Sequence, residues 1–117
     1  MPSTTSYKRG DVVLVPFPFT DLSATKQRPA LVISSDVFNS THDDVVVTAI
    51  TSQVPATSAP DEFPLSKPDL ISCGLPKPSI VKLSKIVTLH QQLIIKCIGA
   101  LPQTTLEKVL SQIRQQF

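Results

Sequence analysis

Hydrophobic positions along this chain come in short bursts. Residues 12–15 read VVLV, 30–33 ALVI, 45–50 VVVTAI, 80–83 IVKL, 86–89 IVTL and 93–98 LIIKCI, and polar or proline-containing turns separate them. Runs of this length, rich in β-branched side chains, predict β-strands. Six strands in so short a chain imply a closed or nearly closed sheet. Only the last segment has helical spacing: Leu106, Val109, Leu110, Ile113 and Phe117 recur on one face, and Thr104 with Glu107 forms a capping-box pattern just after Pro102. Burial of each large apolar side chain in that stripe is worth about 1.5 to 3 kcal/mol, so the helix is expected to cover one side or end of the sheet. Two long connections remain, 16–27 and 51–74. The second is broken by Pro55, Pro60, Pro64 and Pro68, with room for a short strand near 63–65.

At 117 residues and 12.7 kDa the chain suits one domain, 1–117, without internal repeats or a linker. The apolar runs are too short to span a membrane, and the polar start MPSTTSYKRG lacks the apolar stretch of a signal peptide. A cytoplasmic protein with no membrane partner is expected. Cys73 and Cys97 belong to no CxxC or Cys/His cluster and are expected to be free thiols. His42 and His90 have no ligand spacing either, so neither a metal nor another cofactor is expected. The net charge of +2 permits nucleic-acid binding without requiring it.

The placement of the cations is more informative. Arg28 stands directly before Pro29 at the lip of the ALVI run, in a chain with only 17% charged residues. It is either a solvated strand end or a cation aimed at a ligand. Lys77, Lys82 and Lys85 form a local basic cluster able to follow a phosphate backbone, or to solvate one strand face. His42 lies among turn residues and His90 at a hairpin-like turn, which argues against a two-histidine acid–base pair.

Five blocks in order, RGDVVLVPF, RPALVISSDVFN, VVVTAITSQ, GLPKPSIVKLSKIVTL and IGALPQTTLEKVLSQI, resemble the MazF/PemK family of toxins from bacterial toxin–antitoxin pairs. They cover the chain from about Arg9 to Ile113. The resemblance implies a mainly β, SH3-like small barrel with a carboxy-terminal α-helix, usually a homodimer. It also implies an endoribonuclease that cuts single-stranded RNA without a metal and is restrained by a cognate antitoxin protein. Arg28 matches the family's catalytic arginine, and Thr51 its phosphate-positioning threonine. A guanidinium stays protonated and offers forked donors to phosphate oxygens, while a threonine hydroxyl can hold a non-bridging oxygen for in-line attack. Phe19, Lys26, Gln27, Ser52 and Lys85 are the candidate substrate-binding residues; Phe19, with Phe17, could stack on bases. The chain departs from the family at two points. It reads DLSATKQ where a glycine-rich stretch often precedes the arginine, and Ser84 where many members carry an acid. Two other readings fit the same blocks, a gyrase-poison toxin of similar fold and a catalytically silent barrel that binds RNA or an antitoxin. Arg28 and Thr51 in their family contexts favour RNA cleavage.

Overall fold

The computed structural model describes residues 6–16 and 26–117. Phe17, Phe19 and the interior of the 16–27 connection lie outside the described residues. In chain order the elements are β1 (Asp11–Pro16), β2 (Gln27–Val32), α1 (Asp36–Thr41), β3 (Asp44–Thr51), β4 (Glu62–Pro64), α2 (Lys67–Ser72), β5 (Ile80–His90), a 3₁₀ turn (Gln91–Leu93), β6 (Lys96–Ala100) and α3 (Gln103–Gln115). The strands form one antiparallel sheet in the order β4-β5-β3-β2-β1-β6.

Both faces of the sheet are buried, which explains why β1 reads as a continuous apolar run instead of an alternation. On one face Val12, Leu31, Ile50, Val81 and Leu83 pack with Leu106, Val109 and Ile113 of α3. On the other, Val13, Val15, Ala30, Val32, Val45 and Val47 pack with Ile94. Leu106, Val109 and Ile113 of the α3 stripe are thus buried as expected and Leu110 partly so, whereas Phe117 is 87% exposed beyond the helix end.

The expected mainly β architecture is present as one six-stranded antiparallel sheet with three helices, but the sheet is open and does not bear out the closure of an SH3-like barrel. β4 and β6 are its edges, and no ladder joins them among the described residues. α3 packs across one face of the sheet, against Val12, Leu31, Ile50, Val81 and Leu83. It follows β6 directly, with Leu101 N–H donating to Gly10 O, and at its far end Gln112 and Gln116 donate through Nε2 to the carbonyl of Pro60 at 2.8 and 3.2 Å, just before β4.

Four local expectations also change. The runs at 80–83 and 86–89 are one strand, because the intervening Ser84–Lys85 supplies neither a glycine nor a proline for a tight reversal and the chain bulges instead. The run at 93–98 starts inside the 3₁₀ turn, where His90 Nδ1 accepts the N–H of Gln92 at 3.0 Å, and becomes strand only from Lys96. The capping box does not form: α3 starts at Gln103 with Pro102 as its cap, and Thr105 donates its hydroxyl to Asp69 of α2 at 3.0 Å. Finally, α1 and α2 are helices where only loop was expected. Each is capped by a serine, Ser35 accepting from Phe38 N–H and Ser66 from Asp69 N–H. The Ser66-Lys67-Pro68-Asp69 order, with its early proline and acid, was a readable helix start.

α2 sits close on β6 because Gly99 has no side chain. A Cβ there would lie 2.4–2.6 Å from backbone atoms of Ser72 and Cys73. Gly74, at φ +71°, turns the chain out of α2 in the left-handed region.

Candidate active site

Arg28 and Thr51 belong to neighbouring strands. β2 and β3 pair antiparallel through Ala30↔Ala49, Leu31↔Thr48 and Val32↔Val47, which brings the start of β2, with Arg28, to the same end of the sheet as the end of β3, with Thr51. Both side chains line one open pocket of about 320 Å³, together with Ala49, Ile50, Gln53, Lys82 and Lys85. Arg28 is half-buried between β1, where it pairs with Val15, and the pocket. The backbone N–H of Gln53 donates to Thr51 Oγ1 at 3.1 Å. This contact uses a lone pair of the hydroxyl and leaves its hydrogen available to a ligand oxygen.

The lysines arrive by a different route. β3 pairs with β5 as Thr48↔Ile86 on one side of an irregularity and Ile50↔Val81 on the other, so the segment from Lys82 to Lys85 bulges opposite Ala49. Such a bulge leaves backbone carbonyls without ladder partners. The fully buried Thr48 meets that need: its hydroxyl donates to the carbonyl of Lys82 and contacts that of Lys85 at 3.3 Å. From the opposite edge, β4 and its preceding turn brace the same bulge. Leu83 N–H donates to Asp61 O at 2.7 Å, Ser84 Oγ to Asp61 Oδ2 at 2.7 Å and Lys82 Nζ to Glu62 Oε2 at 2.7 Å.

Among the described lining residues the pocket holds three cations and no carboxylate. Two carboxylates stand just behind it, and both are held below their ordinary range. For Asp61 the main cause is the hydrogen bond from Ser84, opposed by partial desolvation. For Glu62 it is the hydrogen bond from Ala59 N–H, followed by that from Lys82. The surface offered to a ligand is therefore cationic, with the compensating negative charge one layer back. That pattern suits an anion with several phosphates.

The sequence-derived candidates divide accordingly. Arg28, Thr51 and Lys85 come together in the pocket. Lys26, Gln27 and Ser52 are exposed beside these residues and do not line it, and Phe19 lies outside the described residues. Of the basic cluster, Lys82 and Lys85 reach the pocket and Lys77 does not. Gln53 was missed, and so was the place of Lys82 in the site. The break in apolar alternation at Lys82-Leu83-Ser84-Lys85 was the available signal for a bulge. His42 and His90 lie elsewhere, His42 stacked on Phe38 with ring centroids 4.1 Å apart and His90 capping the 3₁₀ turn.

The fold is similar to that of several solved structures. An endoribonuclease from a mycobacterial species, in complex with its cognate antitoxin, matches with a TM-score of 0.73 at 21% identity, over 94% of this chain and 93% of that one. The Mycobacterium tuberculosis toxin MazF-mt6 matches with a TM-score of 0.70 at 23% identity, over 91% and 93% of the two chains. A MazE–MazF crystal structure from Deinococcus radiodurans matches with a TM-score of 0.73 at 19% identity, over 96% and 95%. No curated protein matches the chain. The family model for the PemK-like, MazF-like toxins of type II toxin–antitoxin systems matches residues 8–117, so nearly the whole chain, including the strands that carry Arg28 and Thr51, belongs to that toxin family.

Proposed function

We propose that this protein is a metal-independent, sequence-selective endoribonuclease toxin that cleaves single-stranded RNA. The observation that carries the reading is the shared pocket of Arg28 and Thr51, on the neighbouring strands β2 and β3, joined there by Lys82 and Lys85. The 2′-hydroxyl loses its proton as its oxygen bonds to the adjacent phosphorus. The P–O5′ bond then breaks and O5′ takes up a proton, leaving a 2′,3′-cyclic phosphate and a 5′-hydroxyl. Negative charge grows on the phosphoryl oxygens and on O5′ during this displacement. Arg28 supplies forked, permanently charged donors to those oxygens, and the free hydrogen of Thr51 holds a non-bridging oxygen in line. No step in this scheme calls for a Lewis acid, because the cations are side chains.

The test is cleavage of a mixed single-stranded RNA in EDTA, with a matched substrate carrying 2′-deoxyribose at the cut nucleotide. Cleavage of the first and survival of the second are expected. Efficient cutting of the deoxy substrate, or a requirement for Mg²⁺, would sink the mechanism.

The mycobacterial and Deinococcus relatives were solved with antitoxins, and the same kind of partner is proposed here. An acidic antitoxin segment would complement the cation-lined pocket and compete with RNA for it. Two copies of the chain are proposed to form a homodimer acting in the cytoplasm. Co-expression of the adjacent gene should rescue growth, whereas toxicity that leaves RNA intact and depends on gyrase would point to the poison reading.

A further inference from the structure

Lys82 pairs directly with Glu62 across the β4–β5 ladder, and its ammonium lies 2.7 Å from Glu62 Oε2. Its side chain is 23% exposed and that of Glu62 only 10%. The Glu62 carboxylate is itself fixed, since Oε1 accepts the N–H of Ala59 at 2.9 Å. An ammonium has three N–H donors, and the bond to Glu62 uses one of them. Lys82 nevertheless lines the pocket that holds Arg28 and Thr51, brought there by the bulge that Thr48 closes. A lysine tethered in this way loses little conformational freedom when it meets a ligand. Lys82 and Lys85 thus add two ammonium groups to a pocket in which Arg28 and Thr51 already meet the phosphate being cut.

We propose that Lys82 binds the phosphate next to the one being cut, holding Glu62 with one donor and the RNA with another. This assignment rests on the ribonuclease reading and extends it to a second phosphate. Glu62 keeps the ammonium at the pocket in the RNA-free protein, so the second phosphate meets a cation already in place.

Steady-state cleavage of a short RNA by Lys82→Gln, Lys82→Arg and Lys108→Gln tests the assignment. In Lys82→Gln the new side-chain amide can still donate to Glu62, and Lys108, exposed on α3, controls for the loss of one positive charge. Lys82→Gln should raise KM about tenfold with kcat little changed, Lys82→Arg should restore KM, and Lys108→Gln should have little effect. The dependence of log affinity on log salt should become shallower by about 0.7 for Lys82→Gln, the contribution of one phosphate contact in a single strand. A neutral methylphosphonate is then moved along the substrate. At one position beside the cut it should weaken wild-type binding by about tenfold without further weakening Lys82→Gln, as expected for two groups that interact directly. If Lys82→Gln proves poorly folded, Glu62→Gln/Lys82→Gln removes both charges together and takes its place. RNA cleavage with no such coupled position, or a Lys82→Gln loss equal to that of Lys108→Gln, overturns the Lys82 assignment alone. A wild-type protein that neither binds nor cuts RNA overturns it together with the ribonuclease reading.

Discussion

The buried hydroxyl of Thr48 donates to the carbonyl oxygen of Lys82, on a strand 34 positions later in the chain. That bond joins β3 to the bulge of β5 and determines where two of the three pocket cations stand. Valine has the same shape as threonine without the hydroxyl, so Thr48→Val leaves the Lys82 carbonyl unpaired at little change in volume. A loss of about 1 to 3 kcal/mol is expected, the usual cost of an unsatisfied buried polar group. RNA affinity should fall more than in a surface variant of equal stability loss. Urea denaturation alongside KM measurements would check both; unchanged stability would show that the bulge does not need the hydroxyl.

Arg28→Ala and Thr51→Ala should each remain folded, because neither side chain belongs to an apolar cluster. Each should lose about 10²- to 10³-fold in kcat, the usual contribution of one donor to a developing oxyanion. Arg28→Lys should recover little of that loss, since an ammonium cannot reproduce the forked geometry. Single-turnover cleavage together with circular dichroism separates chemistry from folding. Full activity in either alanine variant would remove that residue from the mechanism.

The braces on the bulge should be acid-labile. Asp61 and Glu62 are both held below the ordinary values of 3.8 and 4.5, so their contribution to stability is complete above those values and is lost as pH falls through the depressed ones. Asp61→Asn/Glu62→Gln should therefore be less stable than wild type near neutrality, and the two should converge in strong acid. Denaturation midpoints across an acid series would reveal the convergence. A constant gap at every pH would assign the loss to shape instead of charge.

The two thiols should react very differently. Burial, assisted by the charge of Asp69, pushes the Cys73 thiol up to about 11, whereas Cys97 is exposed on β6. A maleimide should label Cys97 in the native protein and reach Cys73 only after unfolding. Mass spectrometry of the two cysteine peptides distinguishes the cases, and rapid native labelling of Cys73 would mean that α2 opens readily from β6.

By itself the sequence marked the apolar runs that carry β1, β2, β3, β5 and β6, although it split β5 in two, and showed that a helix closes the segment after Pro102. Those features depend on composition and spacing within about ten residues, as in VVLV or the 106–113 stripe. It also marked Arg28, because a cation at the margin of an apolar run stands out locally, whereas Thr51 was singled out only by the resemblance to the toxin family. Their partnership was not legible without the tertiary structure. Whether Arg28 faces Thr51 depends on the register between β2 and β3, and a one-residue slip would turn every side chain of a strand to the other face. The same holds for Lys82, whose place in the pocket arises from a bulge and from Thr48 and Glu62, one 34 positions and the other 20 positions earlier. The open sheet was equally hidden. Six strands can close on themselves or leave two edges, and which of these occurs depends on contacts between segments far apart in the chain, such as the reach of Gln112 and Gln116 to Pro60.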